Sequence, residues 1–243
     1  MLRAGVRLVR LGLHVLHGLA VVLLQFGHLD AEGRRARVQW WSRKLLRTID
    51  AELVVEGTPR PGAKLFVANH VSWLDIVAIN AVAPARFVSK AEVRHWPLLN
   101  RMVSAADTLY IERERRRDAM RVVHQMAEAL EAGDTVAVFP EGTTSDGTGL
   151  LPFHANLLQA AIATGVPVQP VALRYRDAQH AVSPAAAYVG DTSLVASLWN
   201  VLRARGLAVQ VCFLPAEGTR HADRRALARL LSDRIAERLA ALG

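Results

Sequence analysis

Two stretches of the chain hold residue types that can move protons and shape a substrate site. In Asn69-His-Val-Ser-Trp-Leu-Asp75 an imidazole, His70, is followed by the carboxylate of Asp75. The apolar run Leu65-Phe-Val-Ala68 stops at Asn-His, and a helical pattern begins at about Ser72. That places His70 at the carboxyl end of a strand, the edge where open α/β sheets bind ligands. Asp75, in the first helical turn, can fold back onto one ring nitrogen. Such a carboxylate fixes the tautomer and stabilises the imidazolium, leaving the other nitrogen as a general base. Ser72-Trp-Leu-Asp75 also spells a capping box, in which Asp75 closes the helix start. Spacing alone leaves both readings open. The second stretch, Pro140-Glu-Gly-Thr-Thr-Ser-Asp-Gly147, follows the apolar run Thr135-Val-Ala-Val-Phe139. Glu141 directly after a buried strand, with Gly142 allowing a sharp turn, puts a carboxylate and backbone amides at the same sheet edge as His70.

The elements that must hold these loops are legible as alternating strands and helices. Apolar runs predict strands over Glu52–Glu56, Lys64–Ala68, Ala85–Ser89, Thr108–Ile111, Thr135–Phe139, Val166–Leu173 and Leu207–Leu214, with Ala186–Val189 a weaker candidate. Arg115–Ala132 reads as a helix with Met120, Val123, Met126, Ala127 and Leu130 on one face, and Gly133 stands where a C-terminal cap belongs. Leu151–Thr164 and Ala222–Leu242 carry the same period, the latter capped by Thr219 or Asp223. Short buried strands alternating with helices predict an α/β fold, a mixed, largely parallel sheet flanked by helices on both faces.

Bulk properties agree with one folded catalytic domain. Half of the 243 residues are hydrophobic and 21% are charged, which excludes a disordered chain. The net charge of +8 is carried almost wholly by arginine and suits anionic lipid or phosphorylated substrates. Nucleic acid is not expected as a partner, since no zinc-finger spacing, aromatic RNA-binding motif or long basic run occurs. The single Cys212 lies in an apolar strand and reads as a packed thiol in a reducing compartment. Between Arg10 and Asp30 there is no charged Asp, Glu, Lys or Arg side chain, and arginines flank both ends of that stretch. With Trp40 and Trp41 beyond it, this segment predicts a helix that lies in, dips into or spans a membrane. Residues 1–48 are therefore expected as a membrane-associating helical region and residues 49–243 as the catalytic domain, at the cytoplasmic face of the cell membrane.

Asn-His-Val-Ser-Trp-Leu-Asp followed by Phe-Pro-Glu-Gly-Thr resembles the glycerolipid acyltransferase family, which includes the bacterial 1-acylglycerol-3-phosphate acyltransferases. Four blocks occur in order: His70-x4-Asp75; Asp107-Thr-Leu-Tyr-Ile-Glu-Arg113, with Asp107 where a glycine is usual; Phe139-Pro-Glu-Gly-Thr-Thr144; and Val166-Pro-Val-Gln-Pro-Val171. Lys90-Ala-Glu92 before Trp96-Pro97 resembles the segment between the first two blocks. The resemblance implies a glycerol-3-phosphate acyltransferase-like fold and a two-substrate reaction. His70, held by Asp75, takes the proton of a lysolipid hydroxyl, which attacks the thioester of acyl-CoA or acyl carrier protein. It further implies that Arg113 holds the acceptor phosphate, that Lys90, Glu141, Gly142 and Thr143 serve substrate binding, and that Pro170 forms part of the acceptor wall. No nucleophilic Ser or Cys, no metal and no cofactor is implied.

Two departures bear on the acceptor. Thr144 stands where the third block usually continues with Arg, and His154 stands where many members carry Lys. Relatives with Thr-Thr in that block act on other lysolipids, including lyso-ornithine lipid. The leading expectation is acylation of 1-acylglycerol-3-phosphate to phosphatidic acid. Lyso-ornithine lipid is the alternative acceptor, and a catalytically silent lipid-binding membrane protein is the alternative class. The tetrapeptide Glu217-Gly-Thr-Arg220 repeats the family's letters after the fourth block and is read as coincidence.

Overall fold

The computed structural model describes residues 2–91, 99–111 and 116–243. The two candidate stretches are held by a seven-stranded sheet in the order β1-β7-β6-β2-β5-β3-β4. Its strands are β1 (Glu52–Glu56), β2 (Lys64–Ala68), β3 (Arg86–Lys90), β4 (Leu109–Ile111), β5 (Thr135–Val138), β6 (Val168–Arg176) and β7 (Ala208–Phe213). Strands β6, β2, β5, β3 and β4 are mutually parallel; β7 is antiparallel to β6, and β1 pairs in parallel with β7. The mixed, largely parallel sheet expected from the sequence is therefore present.

Both faces of the sheet are covered, which is why its central strands are apolar without alternation. Successive residues of β2 point to opposite sides: Phe66 and Ala68 join one apolar cluster, Leu65 and Val67 the other. The first cluster is covered by α1 (Leu2–Leu24), α2 (Ala31–Thr48), α3 (Leu74–Val82) and α7 (Leu194–Arg203). The second is covered by α5 (Arg116–Glu131), α6 (Gln159–Thr164) and the amino-terminal half of α8 (Arg224–Ala241). A short α4 (Leu99–Ala105) precedes β4. Each large apolar side chain fully buried in these layers, such as Phe66 or Leu130, contributes about 1.5–3 kcal/mol.

Four expectations change. Ala186–Val189 is not a strand; the Tyr188 N–H donates instead to the Val71 carbonyl at 3.0 Å, tying that segment across the catalytic loop. The helix expected from Leu151 begins only at Gln159, after a 3-10 turn over Ala155–Leu158. The N–H groups of Leu151 and His154 are bonded to Glu141 and to the Pro140 carbonyl, which ties this segment to the start of the loop after β5. On α5 the buried stripe is Val122, Met126, Ala129 and Leu130, with Val123 and Ala127 packed against it, and of the expected inward face only Met120, 70% exposed, stays out of the core. Thr219 caps no helix: its hydroxyl donates to the Ala161 and Val166 carbonyls, and Asp223 is the N-cap of α8. Helix α7 lies outside the sequence expectations. Its signal is Ser193, which accepts from the Ala196 N–H, ahead of Leu198, Val201 and Leu202.

The amino-terminal helices share a core with the sheet. Ala4 and Leu11 of α1 and Leu45 and Leu46 of α2 belong to the first cluster. The guanidinium of Arg7 donates to the Leu202 and Ala204 carbonyls at the end of α7, at 2.8 and 2.7 Å, and pairs with Asp50. Gln39 and Arg43 of α2 likewise donate to the Val82 and Ala81 carbonyls at the end of α3. These donors, two of them cationic, satisfy helix carboxyl ends that otherwise keep orphan acceptors. By length and composition α1 is apolar enough to cross a membrane, and only 17% of that stretch is buried.

At Gly18 helix α1 packs against Trp41 of α2 and Met102 of α4. A Cβ there would stand 2.3 Å from Trp41 Nε1 and 2.7 Å from Met102 Cε. The Trp41 ring is also stacked on His14 at 5.0 Å and cannot swing away without breaking that contact. Gly18→Ala is therefore expected to destabilise the protein by about 1–3 kcal/mol. Thermal unfolding checks this, and an unchanged Tm removes the close-packing argument.

Candidate active site

The Asn69–Trp73 loop leaves β2, and the Phe139–Leu151 loop leaves β5, its parallel neighbour. His70 and Glu141 thus meet at the carboxyl edge of the sheet, as the sequence predicts. Asn69 begins the construction. Its side chain donates to the Leu173 carbonyl at 2.9 Å and accepts from the Leu173 N–H at 2.7 Å, extending the pairing of β2 with β6 by one position. The chain is then free to turn, and Asp75 organises the turn.

Asp75 is fully buried, and its two oxygens accept four hydrogen bonds. Oδ2 accepts from His70 Nδ1 at 2.7 Å, from the Val71 N–H at 2.7 Å and from the Ser72 N–H at 2.9 Å. Oδ1 accepts from the Tyr175 hydroxyl at 2.7 Å. The two readings of Asp75 left open by spacing are both true of the geometry. The carboxylate takes the Ser72 N–H as a capping box does, while the Ser72 hydroxyl, buried, has no partner. The same oxygen orients the imidazole. With Nδ1–H directed at Asp75, Nε2 is the ring nitrogen left to act, and the side chain of His70 is 20% exposed.

Three further contacts fix the imidazole. Its ring lies on Phe139, with centroids 3.9 Å apart and planes within 10°. The His70 N–H donates to Glu141 Oε1 at 2.6 Å, and the His70 carbonyl accepts from the Ser145 N–H at 2.7 Å. Glu141 Oε2 accepts from the Leu151 N–H at 2.8 Å. Burial raises the Glu141 carboxyl above its ordinary pKa, opposed by the Leu151 and His70 amides. Both oxygens of Glu141 are engaged by backbone amides, so the side chain expected to touch substrate is a positioning residue that joins two loops.

The remaining expected residues fall out as follows. Gly142 has φ +76°, the left-handed turn that its lack of a Cβ permits, and its N–H donates to Phe139. Thr143 is exposed beside it. Thr144 donates its hydroxyl to the Tyr188 carbonyl. Lys90 is the last residue of β3, opposite Ile111 of β4, at the same edge of the sheet. Pro170 is buried within β6 beside Val67, and its carbonyl accepts from Leu214. Arg113 lies outside the described residues. Among the described residues, no group of three or more His, Cys, Asp or Glu side chains forms a metal-ligand set.

Tyr175 is the site residue that motif reading missed. It is fully buried, and burial together with the Asp75 charge pushes its phenol well above the ordinary value, so it stays a donor. A signal existed, since Val171, Leu173 and Tyr175 alternate onto one face of β6 and a buried tyrosine hydroxyl needs a partner.

Comparisons with known proteins show the family and the fold. The family model described as Acyltransferase matches residues 53–174. A lyso-ornithine lipid O-acyltransferase of Pseudomonas aeruginosa is 38% identical over 215 residues, covering 86% of this chain and 80% of that protein. A 1-acyl-sn-glycerol-3-phosphate acyltransferase of Neisseria meningitidis is 39% identical over 215 residues, covering 87% of this chain and 82% of the relative. The crystal structure of the 1-acyl-sn-glycerophosphate acyltransferase PlsC from Thermotoga maritima superposes with a TM-score of 0.67 at 23% identity, covering 97% of each chain, and supports the fold.

The bonds of Tyr175 and Glu141 make separate predictions. Tyr175→Phe keeps the ring but leaves Asp75 Oδ1 buried without a donor, an expected loss of about 1–3 kcal/mol in denaturant unfolding. Glu141→Gln sets an NH2 group against the His70 or Leu151 N–H, with an expected cost of the same order. Stabilities within error of the parent protein would show these bonds to be dispensable.

Proposed function

The chain belongs to the acyltransferase family, and from that premise we propose that it acylates the free hydroxyl of a membrane lysolipid, with 1-acylglycerol-3-phosphate as acceptor and phosphatidic acid as product. The observation that carries this reading is the His70–Asp75 pair, with Nδ1 held and Nε2 free. His70 Nε2 takes the hydroxyl proton of the lysolipid. The oxygen attacks the thioester carbonyl of acyl-CoA or acyl carrier protein, the carbon–sulfur bond breaks, and the imidazolium returns the proton to the departing thiolate. Asp75 stabilises the imidazolium formed between these steps. Neither a metal nor a cofactor takes part. Lys90, Arg113 and Thr143, on segments carrying family motifs, are assigned to the acceptor's polar head.

A second acceptor, lyso-ornithine lipid, is favoured by one local observation. The Thr144 hydroxyl is committed to the Tyr188 carbonyl at a position where a cation is usual, so the loop offers no charge to a phosphate there.

The acceptor lies in a bilayer, and α1 supplies a surface suited to reach it. Leu2, Val9, Leu13, Leu16 and Leu24 are each more than half exposed along α1, and Trp40 of α2 is 46% exposed beside them. We place this hairpin against the cytoplasmic face of the cell membrane, where exposed apolar side chains and an aromatic ring are stable.

Purified protein with acyl-CoA or acyl carrier protein and a panel of lysolipids tests the reading. Acylation of 1-acylglycerol-3-phosphate is expected, and His70→Ala and Asp75→Asn should lower kcat by about 10²–10⁴-fold. Failure on every lysolipid, or an unaffected rate in His70→Ala, overturns it. Thr144→Arg is expected to shift preference toward phosphate-bearing acceptors, and an unchanged ratio of kcat/KM values would remove Thr144 from acceptor choice.

A further inference from the structure

An open cleft of about 500 Å³ lies between the loop that follows the catalytic segment and α8. His154 and Asn156 line one side; Arg224, Arg225 and Arg229 line the other, with Asp233 as the one acidic lining residue. The arginines of α8 differ in how they are used. Arg234 and Arg238 are paired with Glu217 and Glu56. Among the described residues, the side chains of Arg224, Arg225 and Arg229 make no hydrogen bond or ion pair. Three unpaired guanidinium groups on a concave surface focus a positive potential and offer the forked donors that match phosphate oxygens.

We infer that this cleft receives the phosphate groups of the acyl donor, a phosphorylated pantetheine thioester. The inference rests on the acyltransfer reading above. Its first support is placement. Helices α1 and α2 cover one face of the sheet, and the amino-terminal half of α8 covers the other. A lipid entering from the α1 side and a water-soluble donor held on the α8 side are thereby kept on opposite faces of the sheet. Its second support is a mechanical link. The cleft wall begins where Leu151 donates to Glu141 and His154 donates to the Pro140 carbonyl, and Glu141 also holds the His70 N–H. Donor binding is thereby braced on the backbone that positions the proposed base. Asp233 does not reverse the balance, because three unpaired cations oppose one carboxylate.

Two donor sources share this chemistry, coenzyme A and the phosphopantetheine arm of a carrier protein, and the experiment separates them. Binding of CoA and of holo acyl carrier protein is titrated by calorimetry against the parent protein and R224Q/R225Q/R229Q. The expected result is a Kd for one of the two probes raised about tenfold or more by the substitutions, with parent binding weakened by added salt. Which probe responds identifies the source. If neither binds in an arginine-dependent way, the inference is overturned. In turnover, the KM for the acyl donor should rise while the KM for the lysolipid changes less than about twofold. A rise in the lysolipid KM alone also overturns it, assigning the cleft to the acceptor. Because the titrations need no turnover, they decide the cleft even if no lysolipid is acylated, an outcome that counts against the proposed function. If far-UV circular dichroism shows that the triple variant has not folded, R225Q and R229Q, each exposed, give the same comparison with a smaller shift.

Discussion

A buried carboxylate with four donors is the constraint on which the site depends. Removed from water without partners, a charge like that of Asp75 would be severely penalised, so the fold must deliver donors to it. It does so from two places: the imidazole and two amides of the loop after β2, and the Tyr175 hydroxyl from β6. The geometry of His70 is therefore a by-product of satisfying Asp75. If the loop shifts, the amides lose their acceptor and the imidazole loses its orientation together. Such coupling suits a general base, whose efficiency depends on where its free nitrogen points.

The second carboxylate performs the complementary task. Asp75 holds the side chain of His70, and Glu141 holds its backbone while also holding Leu151. The loops after two adjacent parallel strands thus become one body, with the Phe139 ring packed beneath the imidazole. This explains why a glutamate sits directly after a buried strand, where its carboxyl is desolvated and raised in pKa. Only a group with two acceptors can bond the amides of two loops at once, and an apolar residue of the same size would leave both unpartnered.

How much of this was legible in the sequence follows from how local each signal is. The strands of the sheet and the pairing of His70 with Asp75 are encoded within short windows, by apolar runs and by a five-residue spacing, and were readable. The family resemblance then separated a catalytic pair from an ordinary cap. What escaped are bonds between residues far apart in the chain. Tyr175 meets Asp75 from 100 positions away, and Arg7 meets the end of α7 from 195 and 197 positions away. Glu141 was placed at the correct edge, but its partners are amides, which no motif records. The segment after Leu151, where the helix begins only at Gln159, carries bonds of the same kind, from Leu151 to Glu141 and from His154 to Pro140.

The sheet also separates the two proposed substrates before any motif does. Its two faces are covered by helices of opposite character: α1, largely exposed and apolar, and α8, with a cluster of unpaired arginines. An apolar helix face is stable against a bilayer and an arginine-lined cleft is stable in water, so the molecule can be oriented from its surface alone. In that orientation the carboxyl edge of β2 and β5 stands between lipid and solvent. In the proposed reaction a lysolipid hydroxyl and a thioester meet at one imidazole, although one reactant is held in a bilayer and the other in water. A proposed base on a sheet edge, with an apolar face on one side and a cationic one on the other, suits such a reaction, because neither substrate then has to leave its own phase. The positive charge that the sequence shows only as a net excess gains its meaning from this asymmetry.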